Sequence, residues 1–320
     1  MSADVRNSLL WSHNLGRKIW TILNERWGDL GIGTNFQIHL QTKDKSASVG
    51  GLEHADATVM SFGIDSSADD AKYNFVETLA HEAIHAWNVK RIYPTELATT
   101  DYLNFNDARL NQIYFYEGFT EAFARIILLE AENDPKLVEF IRNLWAGSIF
   151  RIKNYFVGKA KTPDQFIHEA MGGGYDWGAF MALTLASDVR KNHGLEAGKE
   201  KLWTILKALR DARKPSFSLQ KALPDQLVFY NSVATIRDAN PGYAASDLEA
   251  TLKNTLSLPH WNDDTNIFFS KNPVFNTAQE LTDWCERIAI GSETKLQEMS
   301  VQGMTIQYFA RQEGHISWPL

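Results

Sequence analysis

The sequence predicts an α+β protein, because strand-like segments lie near its start and helical periodicity dominates the rest. Residues 36–40 alternate apolar and polar side chains with a period of two, and residues 57–62 form a short, partly β-branched run. From about residue 69 onward, apolar residues recur at helical spacing in one segment after another. A small group of strands followed by a series of helices is typical of the α+β class.

The helical periodicity predicts the order of the helices. One helix precedes the strands over residues 5–28, and a second, over residues 69–90, has its apolar residues on one stripe. A strongly apolar helix is predicted over residues 110–130. Further helices are predicted over residues 135–156, 176–193, 197–212, 224–237, 246–257 and 277–290, and residues 296–320 are predicted to be strand or loop.

Composition and charge restrict the class of protein. The 320 residues, 44% of them hydrophobic, are enough for one large domain or two packed lobes. The formal net charge of -7 disfavours nucleic-acid and anionic-membrane partners, which require clustered Lys and Arg. With no signal-like start and no apolar run of membrane-spanning length in the sequence, we expect a cytoplasmic protein. Since Cys285 is the sole cysteine, a metal site has to use His, Asp or Glu.

The segment His81-Glu82-Ala83-Ile84-His85 has the spacing of a zinc site. Two imidazoles four residues apart project from one face of a helix and can bind the same ion, while Glu82 on the flank can reach a water on that ion. A hydrolytic zinc site uses three protein ligands and one open position, and it lowers the pKa of the bound water to about 7. The segment therefore predicts one Zn²⁺ held by His81 and His85, with Glu82 as general base. The alternative is a pair of helical histidines that flank a glutamate by chance.

A downstream carboxylate is predicted to supply the third ligand. Glu117 is a charged residue inside an otherwise apolar helical stretch. A lone glutamate on a helix usually faces solvent, but this one provides the donor that the site lacks. Glu121, one turn later, can accept a hydrogen bond from a ligating histidine, or it can lie on a solvated helix face. Asn88 is a second candidate for that supporting role.

Four blocks of the sequence carry a family resemblance. They are Gly50-Gly51-Leu52-Glu53-His54, the run from His81 to Pro94, Glu117-Gly118-Phe119-Thr120, and Tyr175-Asp176-Trp177-Gly178. In sequence and in order, these blocks resemble the glycyl aminopeptidase family of gluzincin zinc metallopeptidases. The resemblance covers about residues 5–215.

This resemblance implies a fold and a division of the chain. The family fold is a thermolysin-like catalytic domain, in which a small sheet lobe and a mainly helical lobe enclose the zinc. By resemblance, residues 1–215 form that domain. Residues 216–320 are then predicted to be a helical C-terminal extension packed on it.

The same resemblance implies roles for residues outside the zinc motif. Glu53 would bind the free α-amino group of a peptide, in a substrate-binding segment that includes Gly50, Gly51 and His54. A carboxylate near a metal can pair with an ammonium group and so select which peptide bond meets the metal. Tyr175 would donate a hydrogen bond to the oxyanion of the tetrahedral intermediate.

The sequence is compatible with three classes of function. The first is an aminopeptidase, or a peptidase that trims a specific peptide, whose substrate is a peptide or small amide with a free amine. The second is a zinc hydrolase of a small or carrier-linked substrate in a biosynthetic pathway. The third is a binding module without catalytic activity. Such a module would have no physical need to retain His81, Glu82, His85 and Glu117. A protein partner is compatible with each class.

Overall fold

The structure is a computed structural model that describes the chain in segments. The described residues are 3–28, 36–43, 49–53, 57–63, 69–90, 92, 112–170, 172–193, 200–201, 203–208, 245–256, 277, 279–280, 294–301 and 304–311. The chain divides into two compact units. The first unit comprises residues 1–99, 123–140 and 206–244, and the second comprises residues 100–122, 141–205 and 245–320.

The first unit contains a three-stranded sheet with the order β1-β3-β2. The strands are β1 (Gln37–Lys43), β2 (Gly50–Glu53) and β3 (Ala57–Gly63). β3 pairs in parallel with β1 and antiparallel with β2. The hydroxyl groups of Thr58 and Ser61 on β3 donate to the carbonyls of Leu52 and Gly50 on β2, each over 3.2 Å, and so support the register of this short strand.

Two helices of the first unit build its core. They are α1 (Ala3–Trp27) and α2 (Asp69–His85), which pack against each other, and α2 also packs on β2 and β3. The buried apolar residues described in α1 recur every four positions, as a helix with one apolar face requires: Leu15, Ile19, Leu23 and Trp27. The indole of Trp87, just after α2, donates to the carbonyl of Gly28 over 3.1 Å and ties the ends of the two helices together.

The remaining elements are helical except for one hairpin. They are a π-helix (Tyr114–Phe119), α3 (Thr120–Ala131), α4 (Pro135–Phe156), α5 (Pro163–Glu169), α6 (Gly173–His193), α7 (Ala245–Leu256), and the antiparallel strands β4 (Thr294–Val301) and β5 (Met304–Arg311). Within the second unit, α6 packs against the π-helix and α5. The rings of Phe156, Phe166, Trp177 and Phe180 form the aromatic centre of this packing.

The α+β class and most of the predicted elements are confirmed. The helix predicted over residues 5–28 is α1, and the predicted strands are β1 and β3. The helices predicted over residues 135–156, 176–193 and 246–257 correspond to α4, α6 and α7, and residues 200–201 and 203–208 of the 197–212 prediction are helical. The predicted tail forms β4 and β5 up to residue 311. The helix predicted over residues 224–237 lies outside the described residues, as does most of 277–290.

Several boundaries and elements differ from the prediction. The helix predicted to reach residue 90 ends at His85, and the helix predicted over residues 110–130 begins with the π-helix. Strand β2 and helix α5 were missed, because both are too short for a periodicity to emerge. The start of α5 carried a local signal, since Thr162 and Gln165 form a capping box around Pro163. The boundary predicted at residue 215 stays a prediction.

Candidate metal centre and active site

The two histidines of the predicted zinc motif lie on the last turn of α2 and face each other. Both side chains are buried, and their Nε2 atoms are 3.0 Å apart. The rings meet edge to face, with centroids 4.6 Å apart and planes at 81°. Without a metal, this distance permits an N–H···N hydrogen bond between neutral imidazoles. The same arrangement aims two nitrogen donors at one point, as a shared ion requires.

A tight turn follows His85 and fixes the end of the motif helix. The amide N–H of Val89 donates to the carbonyl of Ile92 over 2.7 Å, and the N–H of Ile92 donates to the carbonyl of Trp87 over 3.0 Å. Val89 has a φ of 82°, which is a strained conformation for a β-branched residue. Asn88, predicted to support a ligand, is fully buried in this turn, one residue before the strained position.

Glu82 lies against the backbone of strand β2. Its side chain is buried, and a Cβ atom added to Gly51 would overlap its carboxylate group. Only a glycine lets the strand approach so closely. Packing therefore requires glycine at position 51, which the sequence alone did not reveal. The predicted substrate-binding segment and the predicted general base are therefore neighbours in the first unit.

The rest of the predicted substrate-binding segment is described in part. Gly50 and Glu53 are the ends of β2, and the backbone of Glu53 pairs with that of Thr58. The side chain of Glu53 and all of His54 lie outside the described part of the chain. The role of Glu53 in binding an amine stays a prediction.

Glu117 lies on the π-helix of the second unit, where Tyr175 is its neighbour. The Tyr175 hydroxyl group donates a hydrogen bond to the Glu117 carboxylate. Burial of the phenol, the negative charge of Glu117 and this hydrogen bond raise the pKa of Tyr175 above its usual value, so the hydroxyl keeps its proton at neutral pH. π-Helical turns inside longer helices are frequent at functional sites. Two of the predicted site residues are thus in contact.

Comparison with known proteins tests the family resemblance. The family model for M61 glycyl aminopeptidases matches residues 74–156, which include the zinc motif and Glu117. The resemblance to the glycyl aminopeptidases is confirmed over these residues. A search of curated protein sequences found no match.

A solved structure supports the fold of this glycyl aminopeptidase-like chain. It is an aminopeptidase N family protein from Idiomarina loihiensis, which is 18% identical and matches with a TM-score of 0.50. The match covers 88% of this chain and 44% of the other, so the chain spans less than half the length of that protein. At this identity the likeness concerns the fold alone. None of the described helices combines the length and apolarity needed to cross a bilayer.

Two ionic contacts near these residues were not predicted. On α2, Glu77 precedes His81 by one turn and forms a buried ion pair with Arg125 of α3, with Oε1 and Nε 3.5 Å apart. In the second unit, Arg151 binds the buried carboxylate of Asp176 through two hydrogen bonds of 2.5 and 2.6 Å. Asp176 directly follows Tyr175, so this pair anchors the first turn of α6.

Glu121 adds a negative charge close to Tyr175 and Arg151. Its side chain is partly buried, and its negative charge acts on both Tyr175 and Arg151. Glu121 therefore lies close to a phenol and a guanidinium of the second unit, and its role in supporting a ligating histidine stays a prediction.

Proposed function

We propose that this chain is a zinc-dependent peptidase, with His81, His85 and Glu117 as ligands of one Zn²⁺. The observation that carries the proposal is the separation of 3.0 Å between the Nε2 atoms of two buried histidines. Zinc–nitrogen bonds of about 2.0–2.1 Å in a tetrahedral site place two nitrogens about 3.3 Å apart. The histidine pair fits that geometry within a few tenths of an ångström.

The proposed third ligand is chosen for its chemistry. Glu117 is a carboxylate inside the segment that matches the peptidase family, and a His, His, Glu set is an established donor combination for hydrolytic zinc. Tyr175 donates to this carboxylate, and ligating carboxylates are normally held by such hydrogen bonds. Glu121 is proposed to accept a hydrogen bond from a ligating histidine, and Asn88 is proposed as a second group for that role.

Each catalytic residue has a defined task in the proposed reaction. Zinc supplies a water of lowered pKa and polarises the scissile carbonyl when it is bound. Glu82 removes a proton from the attacking water and transfers it to the leaving amine. Tyr175 stays protonated, and its single hydroxyl hydrogen turns from the Glu117 carboxylate to the oxygen that becomes negative as the carbonyl is attacked.

The proposed substrate is a peptide with a free amino terminus. Glu53 is the last residue of β2 and follows Gly51 by two residues. Because Gly51 lies against the carboxylate of the proposed base, Glu82, a peptide amine bound at Glu53 would lie a short way along the strand from that base. A fixed amine places the first peptide bond at the reacting centre and restricts cleavage to that bond. We therefore propose aminopeptidase activity.

The decisive experiment replaces Glu82. We expect Glu82→Gln to lower kcat/KM for a free-amine peptide by about 10²–10⁴-fold, because the amide cannot accept a proton from water. Zinc content, measured by plasma mass spectrometry, should remain at one ion per chain. Glu139→Gln, which changes an exposed glutamate of α4, is the matched control and should retain activity.

The same assay tests the substrate class. The wild-type protein should cleave the free-amine peptide faster than its N-acetylated form. A zinc-free protein, or a Glu82→Gln variant as active as Glu139→Gln, would contradict the proposed function. Equal rates on the two peptides would contradict the aminopeptidase assignment and leave the peptidase assignment standing.

A further inference from the structure

A cavity of about 600 Å³ lies in the first unit, away from the zinc motif. Its described lining comes from α1, β1 with the preceding residue, and α2. On α2 the lining residues are Leu79 and Ala83, which share one face. At about 100° per residue, that face points roughly opposite to His81 and His85. The cavity is therefore separate from the proposed active site.

The walls of the cavity are mainly apolar and aromatic. The larger apolar lining residues are Ile19, Trp20, Phe36, Ile38 and Leu79. The rings of Trp20 and Phe36 stack with centroids 4.5 Å apart and planes at 22°, and they form a flat wall. A cavity of this volume with apolar walls and a few polar groups is typical of a small-ligand site.

The charged groups of the lining lie on α1 and have opposite signs. Arg17 and Glu25 are both exposed and line the cavity. Within the described part of the chain, neither forms an ion pair. They are eight residues apart, which corresponds to about 12 Å along a helix. One cation and one anion beside a cavity with an apolar wall match a ligand with two charged ends.

The third wall comes from Phe36 and Ile38, and the strand that carries Ile38 is also an edge of its sheet. β1 is an edge strand of the three-stranded sheet, and in the described residues it pairs with β3 alone. An unpaired strand edge offers N–H and C=O groups to an extended peptide, whose alternate side chains then enter a neighbouring pocket. An extended chain advances about 3.3–3.6 Å per residue, so 12 Å corresponds to three or four residues.

We propose that this cavity binds short apolar peptides of three to four residues, with the carboxylate end near Arg17 and the ammonium end near Glu25. This binding does not depend on the proposed hydrolysis. The probe is the zwitterionic tetrapeptide Ala-Leu-Leu-Ala, titrated by calorimetry into the Glu82→Gln variant so that the peptide is not consumed. Failure of hydrolysis in the wild-type protein would contradict the proposed function and leave this binding measurement unaffected.

Two pairs of variants separate the cavity from any other peptide site. Thr21 is an exposed lining residue on α1, so Thr21→Trp should fill the cavity and weaken binding at least tenfold, whereas Thr21→Ala should retain it. Arg17→Glu should weaken binding roughly fivefold, as expected for an exposed charge. Lys18→Glu makes the same change in net charge on an exposed residue outside the lining and should have little effect.

Blocking the two charged ends of the peptide provides the last test. The tetrapeptide with an acetylated amine and an amidated carboxylate should bind several times more weakly, and binding of the free form should weaken with added salt. Equal affinities for Thr21→Trp and Thr21→Ala would overturn the proposal, because the peptide would then bind elsewhere. Equal affinities of the free and blocked peptides would overturn the assignment to peptide ends. Because Arg17 and Thr21 are exposed, their variants should fold normally.

Discussion

Gly51 determines how close strand β2 can come to the proposed general base. A side chain at this position would occupy the space of the Glu82 carboxylate. The carboxylate is thereby confined between its own helix and the strand backbone. A catalytic base that is held in this way loses little freedom when it meets a substrate.

We expect Gly51→Ala to lower kcat about 100-fold, because displacement of the base by about 1 Å is enough for an effect of that size. The zinc content should not change, since the three atoms nearest to the added methyl group all belong to Glu82. Leu52→Ala on the same strand is the control, because the Leu52 side chain is 56% exposed. A Gly51→Ala variant with wild-type kcat would show that Glu82 is not positioned by this contact.

The proximity of the two histidines could be predicted from the sequence, whereas the role of Gly51 could not. Four-residue spacing on a helix brings His81 and His85 together by local geometry alone, and the 3.0 Å between their nitrogens confirms it. The importance of Gly51 depends on which strand pairs with β3 and on which helix covers it. No local pattern in the sequence contains that information.

The crossing of the π-helix and α6 depends on two glycines. A Cβ atom at Gly118 would overlap the backbone of Gly178, and a Cβ atom at Gly178 would overlap the carbonyl of Tyr114. The two helices can therefore approach until their backbones touch. This contact brings the Tyr175 hydroxyl group, three residues before Gly178, to the Glu117 carboxylate.

We expect Gly178→Ala to lower the free energy of unfolding by about 2–3 kcal/mol, because the methyl group has no space between two backbones. Gly147→Ala is the matched change in α4, where the new Cβ would meet only the Arg151 guanidinium at 3.5 Å. That variant should be more stable by about 0.5–1 kcal/mol, since alanine favours the helix. Urea unfolding followed by circular dichroism measures both, and a neutral Gly178→Ala would contradict the tight crossing.

Asp134 caps the start of α4 and links it to α2. Its carboxylate accepts the amide N–H of Lys136 over 2.9 Å and the hydroxyl of Tyr73 over 2.7 Å. Burial raises the pKa of Asp134, but these hydrogen bonds, that of the Leu137 amide and the charge of Lys72 outweigh it, and the net pKa lies below the usual 3.8. The lowered pKa means that the ionised carboxylate stabilises the folded state.

We expect Asp134→Ala to lower the free energy of unfolding by about 1 kcal/mol at pH 7, the usual cost of a lost N-cap. The stabilisation is present above pH 4 and is lost as pH falls through the pKa of the folded protein, because the unfolded carboxyl group binds its proton first. Asp134→Asn keeps a capping oxygen and does not titrate. Its stability should therefore depend less on pH below 4 than that of the wild type, and parallel pH profiles would contradict this role.

The proposed ligands also predict how the stability of the whole protein responds to zinc. A ligand that binds only the folded state stabilises it by about 4 kcal/mol at 1,000 times its dissociation constant, which corresponds to a rise in Tm of about 5–10 °C. We expect a chelator to lower Tm by that amount in the wild-type protein. In His85→Ala the Tm should be the same with and without zinc, and a full shift in that variant would place the metal elsewhere.

Prediction from sequence succeeded where a feature depends on neighbouring residues. The α+β class, the motif helix and the long helices follow from periodicity, and the family match follows from blocks of adjacent residues. It was less successful at the π-helix, at β2 and at the end of α2. The end of α2 is set by a local turn, and β2 is too short to show a period, whereas the π-helix depends on the approach of the distant Gly178.

The amino-acid sequence was sufficient to identify a pair of histidines on one helical face, a base beside them and a peptidase-like segment, because all three depend on spacing along the chain. Tertiary structure was needed to bring β2 against Glu82, Tyr175 against Glu117, and α1 beside β1 around a cavity. These contacts join residues that are 31 positions apart for Gly51 and Glu82, 58 for Glu117 and Tyr175, and 16 for Trp20 and Phe36, and their formation depends on how whole elements pack. Short-range patterns carry no record of that packing.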